Sequence, residues 1–187
     1  MRKVLMFNMV TLDGFFEGPN GDISWHRVDE EFNQFAAGQL DSMEGLLFGR
    51  KTYAMMASYW PTAQAIQDDP VIAGKMNAKS KIVFSRTLKK AEWDHTRLVN
   101  GEASEELTTL KRQPGGDLIV FGSADLAASL TAAGLIDEYR LMVNPVLLGA
   151  GRPLFADVSA QIGLRLLEAR PFRNGNVLLR YASAGKG

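Results

Sequence analysis

The sequence predicts an α/β fold in which helices flank a mixed, mostly parallel sheet that ends in an antiparallel hairpin. Short apolar runs alternate with amphipathic or Ala-rich segments through the first three quarters of the chain. Two further apolar runs then flank Arg173-Asn174-Gly175, and Asn-Gly is a strong hairpin signal. Alternating strands and helices are typical of parallel crossovers, whereas consecutive strands joined by a tight turn are antiparallel.

The first half of the chain supplies two strands and two helices. Residues 4–10 are mostly apolar and predict the first strand, and residues 46–48 predict the second. Residues 29–40 carry apolar side chains at helical spacing, and a second helix starts at residues 49–52 and closes at Trp60-Pro61. Residues 15–25 read as a loop with three large aromatic side chains, which indicates either a flap over a ligand or the edge of the core.

The middle of the chain is less regular. Residues 62–79 contain Pro70 and Gly74 and predict an extended loop with one helical turn. Two apolar runs, 81–84 and 97–99, predict strands, and residues 104–111 predict a helix.

Residues 115–155 contain a strand–helix–strand unit around which the rest of the chain is organised. Residues 118–121 form an apolar run bounded by glycines, residues 124–133 are Ala- and Leu-rich, and residues 139–143 restart as a strand. The hairpin strands 164–169 and 177–181 follow, and residues 183–187 read as a frayed tail.

Composition excludes several classes of protein. Lys plus Arg equals Asp plus Glu at 21 each, so no global field favours nucleic acid or an anionic membrane. The chain has no cysteine and only two histidines, which excludes disulfides, thiolate chemistry and a histidine-rich zinc site, and no metal site is predicted. No run approaches the length of a membrane span. We therefore expect one domain, residues 1–187, in the cytoplasm.

The sequence does not match either of two generic nucleotide-binding motifs. Residues 45–52 end like a P-loop, but Arg50 occupies the position that requires glycine. Gly149-Ala150-Gly151 begins like a dinucleotide fingerprint, but Leu154 replaces the third glycine and Pro153 precedes it, so we interpret the segment as a turn between strands.

Three strand ends share a chemistry that suits phosphate. They are Gly49-Arg50-Lys51-Thr52, Ser85-Arg86 and Gly122-Ser123. Ligands of open α/β sheets bind beyond the carboxyl ends of the strands, so these ends are expected to share one crevice. Glycines permit close approach, hydroxyls donate, and arginines grip phosphate. Each segment alone is a weak signal. A Gly-Arg-Lys-Thr tetrapeptide is more typical of a solvated helix start, and Asp125 opposes an anion at its helix N-terminus.

These residues carry a resemblance to a known family. The order of residues 9–14, Trp25, 49–53, Ser85-Arg86 and the glycine before the third helix resembles the dihydrofolate reductase fold. The second half, with Gly122-Ser123, residues 134–138, Pro145, Leu148-Gly149 and Gly151, resembles the reductase domain of the bifunctional riboflavin-biosynthesis deaminase-reductase. Stand-alone bacterial proteins of that group are the most similar in organisation. The resemblance implies a three-layer, dihydrofolate reductase-like fold.

The resemblance also implies NADPH and the residues that hold it. Arg50, Thr52, Ser85 and Arg86, beside Gly49 and Lys51, would bind the side of the adenosine 2′-phosphate, Gly122 and Ser123 the pyrophosphate, and Thr11, Asp13 and Gly14 would flank the nicotinamide. Dihydrofolate reductases carry a glycine pair joined by a cis peptide at the third strand end, where this chain has Ser123 as the second residue.

The family's substrate-anchoring carboxylate lies on the helix after the flap tryptophan. Asp29 and Glu30 follow Trp25 by four and five residues, and either is a candidate catalytic residue. The alternative is that both only complement the helix dipole. His26 is a further candidate for contact with the substrate, or an exposed loop histidine.

The expected function is NADPH-dependent reduction of a small heterocyclic or sugar-linked substrate, most like 5-amino-6-(5-phosphoribosylamino)uracil. The deaminase half of the pathway enzyme is excluded because its cysteines and His-x-Glu motif are missing. A dihydrofolate reductase and a nucleotide-binding protein without turnover are the alternatives. The resemblance implies a homodimer, for which the apolar residues Leu141, Val143, Val146 and Leu148 offer an interface or part of a buried sheet.

Overall fold

The computed structural model describes residues 1–184, which form ten strands and six α-helices. The strands are β1 (Val4–Thr11), β2 (Phe15–Glu17), β3 (Gly45–Gly49), β4 (Ser80–Phe84), β5 (Thr96–Val99), β6 (Leu118–Phe121), β7 (Glu138–Asn144), β8 (Arg152–Pro153), β9 (Leu164–Pro171) and β10 (Val177–Ser183). The helices are α1 (Glu30–Asp41), α2 (Arg50–Tyr59), α3 (Ala63–Asp68), α4 (Pro70–Ala78), α5 (Ala103–Arg112) and α6 (Ala124–Ala132).

Eight strands form one sheet in the order β5-β4-β3-β6-β1-β7-β10-β9. The six strands from β5 to β7 run parallel to their neighbours, whereas β10 is antiparallel to both β7 and β9. The predicted mixed, mostly parallel sheet with a C-terminal hairpin is therefore confirmed. A second, two-stranded sheet pairs β2 with β8.

Helices cover both faces of the sheet and make three layers. On one face, Leu107 of α5 and Leu130 of α6 pack in a cluster with Val4 and Met6 of β1. On the other face, side chains of α1, α2 and α4 pack against the opposite set of β1 residues, Leu5, Phe7 and Met9. The alternation along β1 follows from the two-residue period of a strand, and the burial of both faces explains its almost continuous apolar sequence.

The prediction for residues 62–79 is wrong, because two helices form there. The hydroxyl of Thr62 accepts a hydrogen bond from the amide of Ala65 at 3.1 Å, and the carboxylate of Asp69 accepts one from the amide of Ile72 at 2.9 Å. Pro70 occupies the first turn of α4, where a missing N–H has no cost. Caps at both helix starts therefore outweigh the breakers in this segment.

Three other segments differ from the prediction. The 15–25 segment is not all loop, because β2 pairs with β8, just after the predicted turn. Leu141 and Val143 lie on β7, an interior strand, and pack against the core. Ser183 ends β10 rather than opening a frayed tail, and residues 185–187 of that predicted tail lie outside the described residues.

Candidate functional site

The carboxyl ends of β3, β4 and β6 meet at one edge of the sheet, because these neighbouring strands are parallel. The residues that follow them line a cavity of about 510 Å³, here called the polar cavity. Its lining includes Gly49, Arg50, Lys51, Thr52, Ser85, Arg86 and Ser123. The structure therefore brings the predicted strand-end residues together, with Gly122 beside them on the wall of a neighbouring cavity.

Hydrogen bonds join the ends of β3 and β6. The amide of Ser123 donates to Oγ1 of Thr52 at 3.0 Å, and the amide of Gly49 donates to Oγ of Ser123 at 2.9 Å. Gly122 has a φ of 58°, and a Cβ there would lie 2.8 Å from Oγ1 of Thr52. Glycine is thus required for this close approach. Among the described residues every peptide bond is trans, including the one that links Gly122 to Ser123.

Basic side chains surround the mouth of the polar cavity. Arg50 and Lys51 are exposed in the first turn of α2. Arg86 is 74% exposed and forms an ion pair with Glu102. Because an exposed pair of this kind contributes only about 0–1 kcal/mol, its arginine can be recruited by an anion at little cost.

Arg152 is a cavity residue that the sequence prediction missed. It reaches the polar cavity from β8 and forms ion pairs with Asp125 in the first turn of α6 and with Asp157, at 3.6 Å to the latter. Hydrogen bonding to Asp125 is the largest cause that raises the pKa of Arg152. The available signal was a basic residue directly after Gly149-Ala150-Gly151, but its distance in sequence from the strand ends hid its location.

Thr11, Asp13 and Gly14 do not line the polar cavity or its neighbour. The carboxylate of Asp13 accepts hydrogen bonds from the hydroxyl of Thr11 at 2.6 Å and from the amide of Gly149 at 2.8 Å. These bonds, the one from Thr11 foremost, lower the pKa of Asp13. The segment thus fastens the turn before β8 to the end of β1, and its contact with nicotinamide stays a prediction.

A second cavity of about 440 Å³, here called the apolar cavity, adjoins the first. Both cavities are lined by Phe16, Ile23, Thr52 and Met55. Phe32 of α1 and Ile72 of α4 form part of its apolar wall. A cavity with this lining suits a planar apolar ring, with orientation set by the few polar groups present.

Two of those polar groups lack partners. Asn8 of β1 is only 2% exposed, and neither its amide nitrogen nor its amide oxygen has a hydrogen-bond partner among the described residues. Nε2 of His26 is likewise buried and unpaired within residues 1–184. Burial lowers the pKa of His26 to about 4, with Asp22 opposing the shift, so its imidazole is neutral at pH 7. In the sequence, the signal for Asn8 is a polar amide inside an otherwise apolar strand.

The candidate catalytic carboxylates lie elsewhere. Asp29 is the N-cap of α1, where it accepts a hydrogen bond from the amide of Phe32 at 2.9 Å. Glu30 is exposed and accepts one from Gln34 at 3.0 Å. Neither residue lines either cavity, an arrangement that matches the alternative of a role at the helix terminus.

Within residues 1–184 no group of three or more acidic or histidine side chains is placed to hold a metal ion. In the same part of the chain, each helix is too short or too polar to cross a bilayer.

Comparison with known proteins identifies the family. The model of the RibD C-terminal domain matches residues 2–178. The Bacillus subtilis (strain 168) protein YyaP is 35% identical over 182 residues, which cover 96% of this chain and 94% of YyaP. Two solved structures share the fold, a Shewanella sp. PV-4 protein assigned to riboflavin biosynthesis and an Enterococcus faecalis dihydrofolate reductase complexed with NADP(H) and RAB-propyl.

The Shewanella structure has a TM-score of 0.76 at 20% identity and covers 98% of this chain and 99% of its own. The Enterococcus structure has a TM-score of 0.67 at 14% identity and covers 98% and 97%. These similarities confirm the predicted dihydrofolate reductase-like fold. Because the family model spans nearly all of the sequence, the chain belongs to the RibD C-terminal domain family.

Proposed function

We propose that the protein is an NADPH-dependent reductase of a small heterocyclic or sugar-linked substrate, most like 5-amino-6-(5-phosphoribosylamino)uracil. The observation that supports this most is the adjacency of two cavities at the carboxyl ends of parallel strands, one lined by four basic and two acidic side chains and the other mostly apolar. The first suits a dinucleotide, and the second suits the planar ring of a substrate whose reducible carbon faces the cofactor. When bound, the cofactor would supply the hydride.

The residues of the polar cavity fit such a cofactor. Arg50, Thr52, Ser85 and Arg86 would bind the 2′-phosphate side of the cofactor, and Gly49 and Lys51 lie beside them in the lining of the cavity. The backbone at Gly122 and Ser123 would approach the pyrophosphate, and the missing Cβ of Gly122 lets this turn lie against Thr52. Thr11, Asp13 and Gly14 would flank the nicotinamide, and the hydrogen bonds of Asp13 to Thr11 and Gly149 would hold that segment in place.

The substrate would lie in the apolar cavity, beside the flap residue Phe16. Asn8 offers an adjacent donor and acceptor, and neutral His26 offers one ring nitrogen, so uncharged groups are available to orient a ring there. A catalytic role for Asp29 or Glu30 stays a prediction. Asp29→Asn tests it, because asparagine retains the helix cap and removes the charge.

Titration of NADPH fluorescence followed by an oxidation assay tests the proposed function. We expect saturable NADPH binding and substrate-dependent oxidation with ribosylaminopyrimidines. Oxidation only with dihydrofolate would favour the first alternative, a dihydrofolate reductase. Tight binding without oxidation across pyrimidines and folates would favour a nucleotide-binding protein without turnover, and no binding would contradict all three.

We also propose that residues 1–187 form one domain, that the protein is a homodimer, and that it works in the cytoplasm on a small molecule without nucleic acid or membrane. The eight-stranded sheet supports the single domain, because it collects strands from both ends of the described chain. The balanced charge supports a small-molecule partner, because no global field attracts polyanions.

A further inference from the structure

The ion pair between Arg152 and Asp125 stands at the wall of the polar cavity, and both residues line it. Arg152 belongs to β8, where it is paired in register with Glu17 of β2. Asp125 is the acidic residue in the first turn of α6, the helix that follows Gly122 and Ser123. The pair therefore joins the small β2–β8 sheet to the helix terminus nearest the proposed pyrophosphate position.

The two charges have opposite effects on an anion in this cavity. A carboxylate in the first turn of a helix is stabilised by the N-terminal end of the dipole and competes with any other anion for it. A guanidinium is the side chain best suited to phosphate, because it offers paired donors in one plane. Arg152 is 30% exposed and Asp125 74% exposed, so their mutual attraction is screened and the arginine can exchange partners.

We propose that Arg152 is a further cofactor-binding residue that contacts the pyrophosphate of the dinucleotide, and that Asp125 is an internal competitor which lowers the affinity. The inference rests on the proposed function, because it assumes that the polar cavity binds a dinucleotide. It assigns to Arg152 a phosphate common to NADPH and NADH, whereas Arg50 and Arg86 are assigned the 2′-phosphate that only NADPH carries. It also links β2, and with it Phe16 and Glu17, to an occupied cofactor site through the pairing with β8.

Dissociation constants for NADPH and NADH, measured by fluorescence titration, test the proposal with substitutions of opposite sign. Arg152→Gln should weaken both cofactors by about tenfold, the loss expected for one charge-assisted hydrogen bond. Asp125→Asn should tighten both by a few-fold, because it removes the competing charge and leaves the arginine in place. Both effects should shrink at 1 M salt, where the screening length falls to about 3 Å.

Controls separate binding from stability. Arg152→Lys retains the charge and should have an intermediate effect on both cofactors, and thermal unfolding of each variant reports whether the fold survives. If Arg152→Gln lowers only the melting temperature and leaves both dissociation constants unchanged, or if Asp125→Asn weakens binding, the proposal is overturned. If the wild-type protein binds neither cofactor, the proposed function itself is overturned. If the wild type binds both cofactors and the substitutions at residue 152 change neither dissociation constant, only the role of Arg152 is overturned.

Discussion

The neutral imidazole of His26 couples the apolar cavity to pH. Its folded-state pKa is about 4, below the ordinary value of 6.5, because burial disfavours the charged form. Between these values the unfolded chain binds more protons than the folded one, so stability is full above pH 6.5 and falls as the pH drops toward 4. The difference in pKa corresponds to at most ~3 kcal/mol.

Urea unfolding of wild type and His26→Gln at several pH values measures this contribution. We expect the difference in free energy of unfolding between the two proteins to change in the variant's favour as the pH falls from 7 to 4. Asp and Glu residues titrate in both proteins and cancel in the difference. A difference that stays constant with pH would contradict the assigned burial of the imidazole.

The amide of Asn8 is predicted to reduce the stability of the ligand-free protein. A buried polar group without a partner costs about 1–3 kcal/mol, so Asn8→Leu should raise the free energy of unfolding by an amount in that range. Asn144 is the matched control, because its side chain is equally buried but accepts a hydrogen bond from the amide of Arg27 at 2.9 Å. Asn144→Leu should lower the free energy of unfolding. If Asn8→Leu also lowers it, the amide of Asn8 has hydrogen-bond partners in the folded protein.

Arg50 and Arg86 are predicted to discriminate between cofactors. Replacing both by alanine should weaken NADPH by about tenfold or more, through the loss of charge-assisted bonds to the 2′-phosphate, and leave NADH unchanged. Arg97 is the control, because it is an exposed arginine that pairs with Glu106 and lies outside both cavities. Equal losses for NADPH and NADH would sink the assignment to the 2′-phosphate.

At the scale of elements, the α3–α4 segment depends on its caps. Asp69→Ala should cost about 1 kcal/mol of stability, and Asp69→Asn much less, because asparagine also caps. Asp68→Ala removes the same charge from the neighbouring position, where the carboxylate only accepts side-chain bonds such as that from Gln64 at 2.7 Å. Denaturant unfolding compares the three, and an equal cost for Asp68→Ala would show that charge, not capping, is responsible.

The elements that can be predicted from the sequence are those specified by residues close together in the chain, and the others depend on contacts between distant residues. All eight strands of the main sheet were predicted. Burial on both faces gives the central strands near-continuous apolar runs such as residues 118–121, and the Asn-Gly turn signal marks the hairpin of β9 and β10. The β2–β8 sheet was missed because it pairs residues more than 130 positions apart, and its strands have three and two residues. Helices α3 and α4 depend on the caps at Thr62 and Asp69, whereas Pro70 and Gly74 by themselves predict breaks.

The candidate site follows the same rule. The strand ends at Gly49, Ser85 and Gly122 were predictable, because parallel strands bring their carboxyl ends to one edge whatever the loops do. Arg152 and Asn8 can be recognised only from the tertiary structure. Arg152 reaches the polar cavity from a distant strand, and Asn8 stands out because its amide has no hydrogen-bond partner among the described residues. The position of Asp29 was decided by the exact start of α1, and helix boundaries are the least certain part of a sequence prediction.

For the whole molecule, the exposed edge of the sheet points to the surface on which a homodimer would form. Among the described strands, the edge strand β9 is hydrogen-bonded to β10 alone, and its Leu164, Leu166 and Leu167 are between 41% and 52% exposed. An exposed edge strand is a template for pairing, and antiparallel pairing of two copies of β9 about a two-fold axis would cover its leucines in both copies. Of the predicted interface residues Leu141, Val143, Val146 and Leu148, the first two lie on interior strand β7 and are less suitable for a contact between copies.

Leu166→Lys tests this location by sedimentation velocity at several protein concentrations. A charge on the edge strand opposes pairing, so the variant should dissociate at concentrations at which the wild type is dimeric. Leu147→Lys is the matched control, because Leu147 is 68% exposed in the segment after β7 and away from β9. If only Leu147→Lys dissociates the dimer, the interface lies at the end of β7. If the wild type is a monomer, the homodimer is removed from the proposed function. The cofactor site would still stand, because its residues lie within one chain.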